Sequence, residues 1–156
     1  MMNIELVAYK PEYRQAFKDL NVVWIQKYFK MEESDYKALD HPETYILDKG
    51  GYIGFALLDG KPVGVGTLIQ PPHAAFDFEL AKMAVTPEVQ ARGIGKKLAQ
   101  HLIEHARSKG AKRIYLESNT VLAPAIKLYR QLGFVEIQGY ESPYERSNIQ
   151  MCLELV

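Results

Sequence analysis

The chain has 156 residues, enough for one domain with a sizeable core. Hydrophobic residues make up 47% of it and charged residues 24%, an ordinary balance for a globular protein. Lys plus Arg and Asp plus Glu number 19 each, and this zero net charge argues against a nucleic-acid partner, which would favour a basic surface.

Residues 3–9 (NIELVAY) alternate loosely and predict a short strand. Pro11 opens a helix in which Phe17, Leu20, Trp24 and Tyr28 recur at spacings of three and four. A second helix is expected over residues 32–39, ending at the turn residues Asp40, His41 and Pro42. Residues 52–58 and 63–69 read as strands joined by Asp59-Gly60, a strong tight-turn signal. Pro71-Pro72 interrupts the chain before a long strand over residues 76–85. The strand segments of this half are expected to pair antiparallel. Beyond them Ile94, Leu98, Leu102, Ile103 and Ala106 form an apolar helical stripe, with Gly110 at its C-cap. Strands over residues 113–118, 134–137 and 149–155 alternate with a helix over 122–132 that ends at Gly133, which predicts a mixed α/β sheet.

No repeat or linker divides the chain, so one domain over residues 1–156 is expected. The N-terminus lacks the basic start and apolar stretch of a secretory signal, and no apolar run reaches membrane-spanning length. A cytoplasmic protein with no membrane partner is the resulting expectation. Cys152, the only cysteine, falls in the alternation of the last strand and reads as a buried, inert thiol.

Residues 90–96 (QARGIGK) follow a strand and open a helix. The first N–H groups of a helix lack intrahelical partners, and with the helix dipole they make an anion site. Gly93 and Gly95 let an anion approach the backbone, and Arg92, Lys96 and Lys97 add positive charge. A plain glycine-rich connection accounts equally well for the loop taken alone. The Ser/Thr of a P-loop and the third glycine of a dinucleotide fingerprint are both missing.

At this point the sequence resembles the GCN5-related N-acetyltransferase (GNAT) family, whose cofactor loop reads Gln/Arg-x-x-Gly-x-Gly/Ala. The resemblance rests on Gln90-Ala91-Arg92-Gly93-Ile94-Gly95, on the preceding Glu79-Leu80-Ala81-Lys82-Met83-Ala84-Val85, and on Ala125-Ile126-Lys127-Leu128-Tyr129-Arg130-Gln131-Leu132-Gly133-Phe134. It implies a GNAT-like acyl-CoA N-acyltransferase fold, a mixed twisted sheet of about six to seven strands flanked by helices. It implies transfer of an acetyl group from acetyl-CoA, as co-substrate and without a metal, to a small-molecule or peptide amine. A homodimer is also in keeping with it. The pyrophosphate is expected on the backbone of Gln90, Ala91, Arg92, Gly93, Ile94, Gly95 and Lys96, and the pantetheine arm on the main chain of Met83, Ala84 and Val85, as an added strand.

An amine with a pKa of about 10 must lose a proton before it attacks a thioester. The resemblance points to Glu79 as the base. In a regular strand Asp77 shares its face, as a backup base or as a like-charge neighbour that raises its pKa. The resemblance points to Tyr129 as the acid that meets the departing thiolate. The family's usual Asn at the start of this helix is replaced by Leu122. Asn119 either reaches the cofactor in its place or ends its strand. Trp24, Tyr28 and Tyr36 fall where the family builds its acceptor pocket, although Trp24 and Tyr28 also have the spacing of core residues. Arg146, in a polar and aromatic loop, is a candidate to bind an acceptor carboxylate. His73 is a minor candidate base, and His101 and His105 share a helix face without a third ligand. The competing reading is a non-catalytic acyl-CoA-binding or regulatory module on the same fold.

Overall fold

The computed structural model describes residues 3–90 and 92–155. Strand β1 (Ile4–Ala8) leads through a 3-10 turn into α1 (Arg14–Tyr28), α2 (Glu33–Asp40) and the single turn α3 (Pro42–Tyr45). The strands β2 (Tyr52–Leu58), β3 (Lys61–Ile69) and β4 (Phe78–Val85) follow. The remainder is α4 (Ile94–Ser108), β5 (Arg113–Ser118), α5 (Ala123–Gln131), β6 (Val135–Ile137) and β7 (Ile149–Glu154). Among the described residues the strands form one seven-stranded sheet in the order β1-β2-β3-β4-β5-β7-β6. Its pairings are antiparallel except that of β4 with β5, so the sheet is mixed as expected.

The Asp59-Gly60 turn has φ values of 51° and 84°, the double positive φ that a two-residue primed hairpin turn requires. One sheet face carries α1–α3: Phe17, Ile25, Leu39 and Ile46 bury against Ile53, Phe55 and Val65. The opposite face carries α4, with Leu102, Ile103 and Ala106 against Leu68, Leu80 and Ile114. A Cβ at Gly64 would stand 2.8 Å from the Leu98 side chain, so the glycine permits α4 to lie close on β3. Burial of such apolar side chains, at about 1.5–3 kcal/mol for each large one, holds the two layers to the sheet.

Two boundaries differ from the sequence expectation. The turn expected at residues 40–42 instead starts α3, because Pro42 occupies its first turn, where its missing N–H leaves no bond unmade. The strand expected from residue 76 begins at Phe78, because Phe76 packs in an irregular segment against Tyr115 and Cys152.

The feature of most consequence for the site is a bulge in β4. Thr67 pairs with Ala81 and Val65 with Ala84, so β4 has one residue more than β3 over this interval. Lys82 takes up the extra length with φ 52°, a left-handed conformation unusual for a residue with a side chain. Leu80 packs on the α4 side and Ala84 on the α1 side, although an unbroken strand would put both on one face. The bulge thereby turns Lys82 toward α2.

Candidate active site

Strands β4 and β5 pair only at Phe78↔Ile114 and Glu79↔Tyr115. Past this point they separate and open a groove of about 530 Å³. Gly93, Ile94 and Gly95 line one part of it, Leu128 and Tyr129 of α5 form a wall, and Trp24, Tyr28, Tyr144 and Arg146 line the rest.

At the α4 end, Gly93 is the N-cap residue with φ 78°, and no side chain among the described residues caps the helix. The first intrahelical bond runs from Lys97 N–H to the Gly93 carbonyl, which leaves the preceding N–H groups directed out of the helix. A Cβ at Gly93 would meet nothing within 4 Å, so the approach to these amides is open. Arg92 and Lys96 are exposed at the helix start. Gln90 uses its side chain on its own loop: Nε2 donates to the Val85 carbonyl at 2.9 Å. Ala91 lies outside the described residues. Met83 and Val85 direct their side chains toward Ile94 and Leu98, and with Ala84 they line the groove. An anionic, extended ligand with amide groups fits this combination of uncapped helix, open glycine and separated strands.

Glu79 lies where the strands part and is only 6% exposed. Burial, reinforced by the negative Glu117 and opposed by Lys82, raises its carboxyl to about 8. No hydrogen bond reaches this carboxyl among the described residues. Glu117, which sequence reasoning did not single out, accepts from Tyr115 at 2.7 Å and from Ser142 at 2.6 Å. Asp77, expected on the face of Glu79, has its carboxylate engaged by the main chain. It precedes β4, and its Oδ2 accepts the backbone N–H groups of Lys112 (2.7 Å) and Arg113 (3.0 Å), which lowers its pKa and ties down the start of β5.

The Tyr129 ring packs on Phe134 with centroids 5.9 Å apart, and burial lifts its phenol to about 12. Its hydroxyl has no protein partner among the described residues, and the side chain lines the groove. Asn119 lines the groove too, but its side chain serves the main chain: Nδ2 donates to the Arg146 carbonyl at 2.7 Å and Oδ1 accepts from Val121 N–H at 2.8 Å. Of its two expected roles, these bonds correspond to ending the strand.

The remaining end of the groove contains an ionic cluster that the sequence did not disclose. Asp35 of α2, fully buried, receives Lys82 Nζ at 2.6 Å and both terminal nitrogens of Arg146 at 2.6 and 2.7 Å. Glu32 adds a 3.2 Å pairing to Arg146. Burial alone would raise Asp35, but Arg146 and Lys82 outweigh it and hold the carboxyl at about 2. Lys82 Nζ also donates to the Tyr144 hydroxyl at 3.2 Å, and both cations lie over the Tyr144 ring. Arg146, expected to meet an acceptor carboxylate, is thus engaged by carboxylates of the protein itself. The one available signal was Lys82, a charge inside the apolar run Leu80–Val85.

Trp24 lines the groove, with its indole donating to Asn21 Oδ1 at 3.1 Å, and half-exposed Tyr28 lines it beside Trp24. Tyr36 is exposed and is not among the groove residues. His73 lies elsewhere, packed on Tyr140 and bonded to the Glu141 carbonyl. His101 and His105 pack around Tyr52, whose hydroxyl meets His101 Nε2 at 2.8 Å. Cys152 is buried, and burial pushes its thiol pKa up. No helix among the described residues is long and apolar enough to cross a membrane.

The profile of the Acetyltransferase (GNAT) family matches residues 4–134. The chain belongs to this family. The uncharacterized N-acetyltransferase YjgM of Escherichia coli K12 is 41% identical over 80 residues, covering 51% of this chain and 48% of the relative. The [ribosomal protein bS18]-alanine N-acetyltransferase of the same organism is 40% identical over 95 residues, covering 60% of this chain and 63% of the relative. The matched segments thus span about half the length of the first relatives. A GNAT-family acetyltransferase from Staphylococcus aureus Mu50 shares the fold at TM-score 0.86 and 23% identity, covering 99% of this chain and 100% of the other. The Salmonella typhimurium acetyltransferase yncA, solved with acetyl-CoA, does so at TM-score 0.77 and 19% identity, covering 99% and 95%. The GNAT motifs of this chain converge on one groove: the glycine loop at the α4 end, the β4 segment along it, and Tyr129 in its wall.

Proposed function

We propose that the protein transfers an acetyl group from acetyl-CoA to a primary amine by direct attack, with Glu79 as general base and Tyr129 as acid. The observation that carries this reading is the pair of unpartnered titratable groups, Glu79 and Tyr129, in the groove that also receives the uncapped start of α4. Acetyl-CoA supplies a thioester carbonyl for the amine to attack. The amides at Gly93, Ile94, Gly95 and Lys96 hold its pyrophosphate, with Arg92 and Lys96 adding charge, and the main chain of Met83, Ala84 and Val85 receives the pantetheine arm. The bound acetyl-CoA of the Salmonella relative supports the choice of donor.

Glu79 takes a proton from the ammonium. A base of about 8 is matched to this work, since it is part-ionised near neutral pH and is a stronger acceptor than an ordinary carboxylate. Tyr129, near 12, keeps its proton until charge develops on the departing sulfur. A thiol ionises at about 8.5, so full proton transfer from this phenol is uphill and Tyr129 acts first as a hydrogen-bond donor. Trp24 and Tyr28 form the apolar side of the acceptor end. The test is a thiol-release assay with acetyl-CoA and an amine panel, read with product masses. Release coupled to N-acetylated product supports the proposal. Tight CoA binding without turnover on the whole panel favours the non-catalytic module.

A further inference from the structure

The cluster formed by Asp35, Lys82 and Arg146 lies at the acceptor end of the groove, and its charges decide what can enter there. Both cations are held by carboxylates of α2: Lys82 by Asp35, and Arg146 by Asp35 with two bonds and by Glu32. Both residues border the groove, but their positive charges are thereby balanced within the protein. The backbone reinforces this. The α2 N-terminus is built as a capping box in which Glu32 N–H donates to Asp35 Oδ2 at 2.9 Å, so both acids are fixed by the helix they begin. The β4 bulge at Lys82 brings the third member to them.

Apart from these two engaged cations, the side chains lining the acceptor end are neutral or acidic. Glu117 accepts hydrogen bonds from the Tyr115 and Ser142 hydroxyls, and Glu79 is a carboxyl without a donor among the described residues. Ser147 is in the groove lining, with its Oγ buried and without a partner among the described residues. Trp24 and Tyr28 complete the wall. A free amino acid entering amine-first would bring its carboxylate among these acids, while Lys82 and Arg146 are already engaged by Asp35 and Glu32. A protonated amine lacking that carboxylate would meet the attraction of these acids alone.

We propose that Asp35 is a specificity-determining residue which, by engaging Lys82 and Arg146, makes the acceptor end select primary amines that carry no neighbouring carboxylate, such as alkyl or arylalkyl amines and amide-linked α-amines. It acts through the two cations and touches no substrate. The inference rests on the acetyl-transfer reading for the identity of the groove.

The test uses matched pairs with the whole protein: alaninamide against alanine, and phenethylamine against phenylalanine, each with acetyl-CoA. Wild type should favour the carboxylate-free member by about tenfold or more in kcat/KM. Asp35→Asn leaves Lys82 and Arg146 under-compensated, and the preference should fall, with KM for the amino acid dropping. Asp35→Asn combined with Lys82→Met restores the balance and should restore the preference. Glu32→Gln, in a partly exposed position, should shift the ratio in the same direction as Asp35→Asn and serves where that variant does not fold. A wild type that takes both members alike overturns the proposal, as does a variant that lowers both in one proportion. If no amine is acetylated, calorimetric binding of the same pairs to the CoA-loaded protein reads the preference separately. Discrimination there supports the proposal even as the transfer reading fails, and equal binding overturns it.

Discussion

Replacing Glu79 by Gln removes a carboxyl whose ionisation is opposed by its surroundings, and this has a consequence for stability that needs no substrate. In the folded chain the group titrates at about 8, against an ordinary value of 4.5. Between those two pH values the folded state binds a proton that the unfolded state has released. The group's contribution to stability is therefore fully present below 4.5 and is lost as pH rises toward 8. The slope is about 1.4 kcal/mol per pH unit for one proton. Lys82 is the counterweight already included in that value, and Glu117 acts in the other direction. Urea unfolding of wild type and Glu79→Gln at several pH values between 5 and 8 measures the difference directly. Wild type should lose stability relative to the variant on going up in pH, with the variant the more stable at pH 8. Parallel pH dependences for the two proteins would refute the buried, unpartnered carboxyl on which the base assignment depends.

Three further outcomes follow from the same geometry. Tyr129→Phe keeps the ring contact with Phe134 and removes only the hydroxyl, so steady-state kinetics should show kcat reduced about a hundredfold with the acetyl-CoA KM little altered. Gly93→Ala forces a side chain into the left-handed N-cap at φ 78°, which costs about 1–2 kcal/mol; thermal unfolding should register it, and calorimetry should show weaker CoA binding. Lys82→Met leaves Asp35 with Arg146 alone in a buried setting and should destabilise the fold by about 3 kcal/mol in urea titration, with the loss appearing even when no ligand is present.

Much of the scaffold was legible because it rests on local rules. Asp59-Gly60 specifies its hairpin turn by positive φ, and the stripe of Ile94, Leu98, Leu102 and Ala106 specifies the buried face of α4. The groove's α4 end was legible for the same reason, since uncapped N–H groups and small residues are properties of a short segment. The acceptor end was not, because it is assembled from α1, α2, the β4 bulge and the loop before β7. Strict alternation would have put Lys82 on the α4 side, and only the added residue at the bulge turns it to Asp35. Asp77 shows the same limit in reverse. Regular alternation placed it with Glu79, whereas the strand starts one residue later and its carboxylate holds Lys112 and Arg113. Arg146 and Asn119 had suitable chemistry for ligands, but Asp35 reaches Arg146 from far away in sequence, and Asn119 is engaged by the distant Arg146 carbonyl and the nearby Val121 N–H.

The central claim, that Glu79 deprotonates an amine for attack on acetyl-CoA in this groove, is tested most directly by the pH profile of kcat/KM for acetylation of a primary amine. Activity should rise with pH, pass half its plateau near pH 8 and level off above it, and Glu79→Gln should lose that limb with at least about a hundredfold lower activity. A variant that retains wild-type activity and the same profile would contradict it.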